Sequence, residues 1–140
     1  MSRYLQASAD AYRVLLDCCA VQEVGEWQAR SGIQKEASWR DQTLPLANLA
    51  ALLDGDSSGS AGHYVVLDTD NAALPRIMLL VENLSALVDV SDDAFQQPLA
   101  ESGSGVSLYD VVHDDESARI LLRLHPSALA QTLLAQSQQR

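Results

Sequence analysis

The segment Trp39–Leu53, WRDQTLPLANLAALL, constrains the fold more than any other part of the chain. It reads as a strand that runs through Pro45 into a short helix, because proline lacks an N–H and holds φ near the helical value. Apolar residues then recur at helical spacing, which predicts one face turned toward a core: Leu46, Leu49, Ala50 and Leu53. Gly55 follows where a left-handed C-cap would end the helix. The pattern therefore predicts a strand–proline–helix unit.

Short runs rich in β-branched and aliphatic residues lie on both sides of this unit and are typical of strands. Arg30–Ala37 and Asp92–Gln97 read as polar loops, and a closing helix begins at about Pro126. The predicted strands are Arg3–Ala9, Tyr12–Asp17, one within Ala20–Gln28, Tyr64–Thr69, Arg76–Val81, Ala86–Val90, Val106–Val112 and Arg119–Leu124. Many short strands with few helices favour a β-barrel type of domain over βαβ units.

Length and charge limit the classes of function. The chain has 140 residues, 47% of them apolar, which suits a single domain with its own core. We expect one domain over residues 1–140, with halves 1–62 and 63–140 separated by the segment Asp54–Gly62. Asp and Glu number 19 against 9 Lys and Arg, a formal charge of −10. This excess disfavours nucleic acid and anionic membrane surfaces as partners and favours a basic partner surface.

The cysteines and the short length of the apolar runs indicate the cellular compartment of the protein. Cys18 and Cys19 are adjacent, so a bridge between them would be strained, and the chain has no other thiol. Without a nearby histidine they also fall short of a zinc site. The N-terminus lacks an apolar signal region, and runs such as Ile77–Val81 are far shorter than the roughly 20 residues of a membrane span. We expect a cytoplasmic protein, or the cytosolic side of a larger one.

Two motifs in the segment Asp54–Gly62 resemble functional loops in an unsuitable context. Gly55–Gly59 matches the G-x-S-x-G hydrolase motif, which requires a strand before it and a helix after it, whereas the predicted order here is reversed. The same stretch resembles the start of an EF-hand calcium loop, but Val65 takes the position of the bidentate glutamate. A flexible loop accounts for both matches.

Acidic pairs and histidines do not point to catalysis. Asp92–Asp93 and Asp114–Asp115 fall in predicted turns, and adjacent side chains diverge. His63, His113 and His125 lie in or beside different loops, without the spacing of a metal site on one helix face. We predict no catalytic residue, metal or cofactor, although folding would be able to bring a His/Cys or His/Ser pair together.

The central segment resembles the "LRG-x-x-(I/V)PV-x-x-L-x-x-x-L" signature of CheW-like domains, the coupling modules of bacterial chemosensory arrays. Arg40 takes the arginine, Leu44–Leu46 takes the apolar–Pro–apolar step, and Leu49 and Leu53 take the helix positions. Asp41 stands where the family usually has glycine.

Further segments resemble the family in the same order along the chain. Tyr12–Val24 resembles its "V-x-E-I" region, with Val21, Glu23 and Val24 on the matching positions. Arg76–Val90 and Arg119–Leu134 are similar to its later strands and closing helix. In place of the family's proline-containing loop, the segment from Glu26 to Trp39 is short and has no proline.

The resemblance implies a mainly β fold with two small five-stranded, SH3-like barrels around a shared core. Short helices would follow the first-half barrel and close the C-terminus. It also implies a stand-alone, non-catalytic adaptor without a cofactor. Its partners would be the cytoplasmic tip of a chemoreceptor (a methyl-accepting chemotaxis protein) and the regulatory domain of a CheA-type histidine kinase. Departures from the signature favour an alternative pathway, such as twitching motility by type IV pili.

The receptor-binding residues implied by the resemblance are Val21, Glu23, Val24 and Arg40, near a groove between the barrels. From the residues alone, Glu23 and Arg40 would equally suit exposed strand positions or a surface ion pair worth under about 1 kcal/mol. Trp39 is predicted to be in the core, whereas Trp27 suits either a core or an interface.

A second class of function stays open, a small β-barrel regulatory domain that binds a small molecule between its two halves. An apolar pocket with convergent polar groups would favour it. A filled core with an exposed apolar strand edge would favour the adaptor.

Overall fold

The computed structural model describes residues 2–9, 12–28, 36–49, 52, 61–90, 95–101, 107–114 and 119–138. Within these ranges the chain forms eleven strands and a C-terminal helix, α1, and Leu49 and Leu52 are also helical. No helix there is both long and apolar enough to span a membrane. The element bounds are β1 Ser2–Ala9, β2 Tyr12–Asp17, β3 Val21–Glu26, β4 Glu36–Trp39, β5 Gln42–Asn48, β6 His63–Asp68, β7 Arg76–Val81, β8 Asn83–Val90, β9 Phe95–Glu101, β10 Ser107–Asp114, β11 Arg119–Leu124 and α1 Pro126–Gln138.

The strands form two sheets. One has six strands in the order β8-β1-β2-β11-β10-β9, and the other has five in the order β3-β6-β7-β5-β4. Neighbouring strands are antiparallel except for the parallel pairs β2/β11 and β5/β7. Each sheet takes strands from both sides of residue 62. The mainly β fold is as predicted, but one sheet has six strands rather than five.

The buried apolar side chains of the described residues form three clusters. The largest lies between the sheets and draws on strands of both of them and on Leu129 of α1. A second cluster, around Trp39 and Met78, belongs to the five-stranded sheet, and a third, around Tyr4 and Leu15, belongs to the six-stranded sheet. The family resemblance implies the shared core, and each sheet adds a smaller cluster of its own.

Alternation along the strands produces this arrangement. On β6, Val65 and Leu67 face the shared core, whereas Val66 faces the core of the five-stranded sheet. On β2, Val14 and Leu16 face the shared core, while Leu15 faces the other way. Successive strand residues point to opposite faces, so a strand buried on both faces needs an unbroken apolar run.

The central segment forms a hairpin and then a helix. β5 runs through Pro45, and helical conformation begins at Leu49, so the prediction that Pro45 opens the helix is wrong. Leu46–Asn48 stay extended because they pair in parallel with β7. Pro45 is paired with Glu36 in the antiparallel ladder of β4 and β5. Alternate pairs of such a ladder exchange no hydrogen bonds, and this pair is one of them, so the missing N–H of Pro45 costs the ladder nothing.

Two predicted loops contain strands. The expected loop Arg30–Ala37 includes the start of β4, and Asp92–Gln97 includes the start of β9; residues 30–35 and 92–94 lie outside the described ranges. The sequence of β9, FQQPLAE, did not predict a strand, because it contains Pro98 and little alternation of apolar and polar residues. The strand lies at the edge of its sheet, where a proline is tolerated.

Candidate functional site

The two edge strands of the five-stranded sheet meet through their side chains. β3 and β4 lie at opposite ends of the strand order, yet Glu23 on β3 hydrogen bonds to Trp39 on β4 and to Arg40 directly after it. The sheet therefore curls until its edges approach each other, as strands do in a small barrel. We refer to Glu23, Trp39, Arg40 and Tyr64 as the closure cluster.

Glu23 accepts hydrogen bonds from three side chains. Trp39 Nε1 donates to Glu23 Oε2 at 2.8 Å, and the Tyr64 hydroxyl donates to the same oxygen at 2.9 Å. Arg40 Nη2 lies 3.3 Å from Glu23 Oε1. Both carboxylate oxygens are thus engaged, by two neutral donors and one cation, which fixes the orientation of the carboxylate.

These contacts shift the proton affinities of the cluster. The hydrogen bonds from Trp39 and Tyr64, followed by the bond and charge of Arg40, lower the pKa of Glu23 below its ordinary value. The hydrogen bond to Glu23, followed by burial, raises the pKa of Tyr64. Each shift favours the protonation state that the hydrogen bond requires, an ionised carboxylate and a neutral phenol.

Gly25 makes room for the Tyr64 ring. The two residues are cross-strand partners in the pairing of β3 with β6. A Cβ atom at Gly25 would lie 2.5 Å from Cε1 of Tyr64, so a side chain there would displace the ring. The glycine therefore allows Tyr64 to lie against β3 with its hydroxyl on Glu23.

Trp39 joins the closure cluster to the core. It is 8% exposed and packs with Leu44, Val66 and Met78, which confirms the core prediction. The guanidinium carbons of Arg40 and Arg76 lie 4.8 and 5.6 Å from its ring centroid, within cation–π distance. Arg76 Nε also donates to Asp68 Oδ1 at 2.9 Å, so each of these cations contacts a carboxylate as well as the indole.

A tight turn presents Arg40. Arg40 and Asp41 link β4 to β5 and have φ values of 46° and 64°. Positive φ at both central residues is typical of the type I′ hairpin turn, where glycine and asparagine or aspartate are preferred. Asp41 thus adopts a left-handed conformation at the position where the family usually has glycine.

The four residues predicted to bind a receptor do not form one surface. Glu23 and Arg40 are in contact, and Val24 is 46% exposed on the other face of β3. Val21 is half-buried and packs against the shared core. Sequence reasoning did not single out Tyr64 as a partner of Glu23; Gly25 within a strand was the available signal, because such a glycine often marks a close approach.

An open cleft lies beside the closure cluster. Its volume is about 720 Å³, and its lining comes from β3 to β7 and the residues just after β3. The lining includes three aromatic and two acidic residues: Trp27, Trp39, Tyr64, Glu26 and Glu36. We refer to it as the aromatic cleft.

The remaining candidates are the cysteines, the histidines, the loop motifs and the acidic pairs. Cys18 is half-buried and Cys19 exposed, both as free thiols, and burial followed by the Asp17 charge raises the pKa of Cys18. His63 Nδ1 lies 3.3 Å from the carbonyl oxygen of Glu82. No group of three or more metal-binding side chains forms within the described part of the chain. The predicted loop motifs at residues 54–60, the pair Asp92–Asp93 and Asp115 lie outside it.

The chain was compared with known proteins by sequence and by fold. A sequence profile of the CheW-like domain matches residues 4–133. A search of curated protein sequences gives no significant match. Among solved structures, the chain is similar to the scaffolding protein TtCheW from Thermoanaerobacter tengcongensis, with a TM-score of 0.63 at 10% identity over 88% of each chain. At that identity the likeness concerns the fold alone. Because the profile covers nearly the whole chain and the sheets have the corresponding fold, the chain belongs to the CheW-like domain family.

Proposed function

We propose that this protein is a non-catalytic chemosensory adaptor that couples chemoreceptors to a CheA-type histidine kinase. The observation that carries the proposal is the match of the CheW-like domain profile to residues 4–133. The kinase contact would be made with the regulatory domain, and the receptor contact with the cytoplasmic tip. The formal charge of −10 favours basic patches on those partners.

The receptor contact is proposed to centre on Glu23 and Arg40. Arg40 suits recognition because its side chain is 68% exposed while Glu23 and the Trp39 ring hold the guanidinium from below. Val24 is exposed on the other face of β3, so its part in binding would be a separate apolar contact. Val21 is half-buried and packed against the shared core, so its part would be to position β3.

The pathway is proposed to be an alternative one, such as type IV pilus motility. Two departures from the family pattern support this: Asp41 in the turn that presents Arg40, and the short segment without proline that leads to β4. Asp41 directly follows Arg40 in this turn, and the short segment directly precedes Trp39 in the sequence, so changes there are proposed to alter the choice of partner.

A pull-down from the lysate of the host organism tests the proposal. We expect mass spectrometry to identify a chemoreceptor or a CheA-type kinase with the wild-type protein. Arg40→Ala should lose the receptor. Arg3→Ala is the matched control, since Arg3 forms an ion pair of similar length and exposure with Asp89 on the other sheet. Recovery of neither partner by a folded wild-type protein would refute the coupling function.

The aromatic cleft favours a second candidate function, the regulatory domain that binds a small molecule. Its volume is within the range of ligand pockets. A metabolite that raises the melting temperature, combined with no kinase or receptor in the pull-down, would favour this function over coupling.

A further inference from the structure

The turn between β2 and β3 contains both thiols of the chain. Cys18 and Cys19 are free cysteines, and the sequence has no third one, so each thiol has only its neighbour as a partner within the chain. Cys19 is exposed, whereas Cys18 is half-buried. A reagent in solution can therefore reach Cys19 more easily than Cys18, and any bond that forms on Cys19 lies beside a second thiol.

The conformation of this turn removes the main obstacle that the sequence suggested to a bond between the two thiols. Ala20 N–H donates to the carbonyl oxygen of Asp17 at 2.9 Å. Val21 N–H donates to the carbonyl oxygen of Cys18 at 3.3 Å. Two successive hydrogen bonds of this i→i+3 kind are typical of a 3₁₀ turn, and neither cysteine has a positive φ. Adjacent side chains are about 120° apart around such a turn, whereas on a strand they point to opposite faces.

The strain that remains would make a disulfide in this turn easy to reduce. Adjacent Cα atoms are about 3.8 Å apart, below the roughly 4.4 Å at which the usual range for disulfides begins. Strained and exposed disulfides are more oxidising than structural ones, so dissolved thiols reduce them readily. A bond between Cys18 and Cys19 would therefore form and break with the balance of thiols and disulfides around the protein.

The surroundings of the two thiols suit them to different steps. Burial, followed by the charge of Asp17, raises the pKa of the Cys18 thiol. Thiol–disulfide exchange requires a thiolate and access to it, so Cys18 is poorly suited to the first attack on a dissolved disulfide. Once Cys19 carries a mixed disulfide, however, Cys18 is held next to the sulfur atom that it must attack.

We propose that Cys18 and Cys19 form a reversible exchange site for low-molecular-weight disulfides. The Cys19 thiolate attacks one sulfur of the disulfide, whose S–S bond breaks, so that a mixed disulfide forms and one thiolate leaves. The Cys18 thiolate then attacks Cys19 Sγ, the second thiolate leaves, and a ring closes between the two neighbouring residues. The protein gives two electrons to the disulfide, and the two protons of its thiols pass to the released thiolates.

This site goes beyond the coupling function and does not depend on it, because neither thiol takes part in the proposed receptor contact. Treatment of the reduced full chain with glutathione disulfide tests it. Cleavage after Arg13 and Arg30 releases residues 14–30 as one peptide that contains both cysteines, and mass spectrometry shows its state. We expect the wild-type peptide to lose two hydrogen atoms and both thiols that iodoacetamide alkylates, and dithiothreitol to restore them. Retention of both thiols, a stable glutathione adduct or a disulfide-linked dimer would overturn the proposal.

Two matched serine variants test the order of the steps. Cys18→Ser leaves Cys19 without a second thiol beside it, so the glutathione adduct on Cys19 should accumulate. Cys19→Ser leaves only the half-buried thiol, so its adduct should form at least about tenfold more slowly. Equal rates in the two variants, or no adduct in Cys18→Ser, would contradict the assigned roles. Melting temperatures equal to that of the wild type exclude unfolding as the cause of any difference.

Discussion

At the scale of single residues, one carboxylate holds the two edges of the five-stranded sheet together. Glu23 accepts hydrogen bonds from Trp39, Tyr64 and Arg40. Removal of any of these donors should therefore change the pKa of Glu23. An ion pair between Glu23 and Arg40 was one of the expectations from the sequence, and the structure contains that pair. The partners Trp39 and Tyr64 were not expected, because they lie 16 and 41 residues away along the chain and meet Glu23 only when the sheet curls.

Tyr64→Phe removes one donor and leaves the ring in place. We expect the pKa of Glu23 to rise toward its ordinary value and the melting temperature to fall, because the ionised carboxylate loses a hydrogen bond. Titration of the Glu23 carboxyl by NMR measures the shift. Tyr4→Phe is the matched control, a buried tyrosine in the core of the other sheet. An unchanged pKa of Glu23 in Tyr64→Phe would contradict the hydrogen bond.

The same cluster predicts how stability depends on pH. Because folding lowers the pKa of Glu23, its contribution is present above the ordinary glutamate pKa and is lost as pH falls through the lower, folded value. Because folding raises the pKa of Tyr64, its contribution is present below the ordinary tyrosine pKa and is lost as pH rises through the folded value. Denaturant unfolding of Tyr64→Phe should therefore lose the alkaline component, while a profile identical to that of the wild type would argue against this coupling.

At the scale of elements, the turn between β4 and β5 has a backbone conformation that glycine would adopt more easily than Asp41 does. Asp41 adopts a φ of 64°, where glycine is free of the steric cost of a Cβ atom. Asp41→Gly should therefore raise the free energy of unfolding by about 0.5 kcal/mol in denaturant titrations, the relief of that cost less the extra freedom of the unfolded chain. Gln42→Gly, at the next residue but within β5, should instead lower stability. Destabilisation by both changes would argue against the left-handed turn.

Elements with strong alternation or unbroken apolar runs were predictable, and those whose conformation depends on pairing were not. Tyr12–Asp17 and Arg76–Val81 have the predicted bounds because their β-branched and aliphatic residues are buried. Leu46 reads as helical by spacing but is extended because β5 pairs with β7. β9 depends on its pairing with β10 for its conformation, since its own sequence contains a proline and little alternation.

At the scale of the whole molecule, the shared core connects the two sheets and the C-terminal helix. Leu129 of α1 is fully buried in the cluster that draws on both sheets. Leu129→Ala should lower the free energy of unfolding by about 3 kcal/mol, the usual cost of such a cavity. Gln131→Ala, exposed on the same helix, should cost little.

The unfolding curves of Leu129→Ala show whether the two sheets unfold as one domain or as two. Both tryptophans contribute to the core of the five-stranded sheet, so their fluorescence reports on that sheet, whereas circular dichroism reports on all strands. We expect Leu129→Ala to shift both unfolding curves equally, as for one cooperative unit. A shift in circular dichroism with unchanged fluorescence would show that the sheets unfold separately.

Reconstitution of the coupling step tests the central claim most directly. Membranes that contain a chemoreceptor of the host are sedimented with its CheA-type kinase, with and without this protein, and the kinase in the pellet is measured. We expect the protein to increase the amount of kinase in the pellet, Arg40→Ala to reduce that increase and Arg3→Ala to preserve it. An amount of kinase that is the same with and without the folded protein would contradict the assignment as a coupling adaptor.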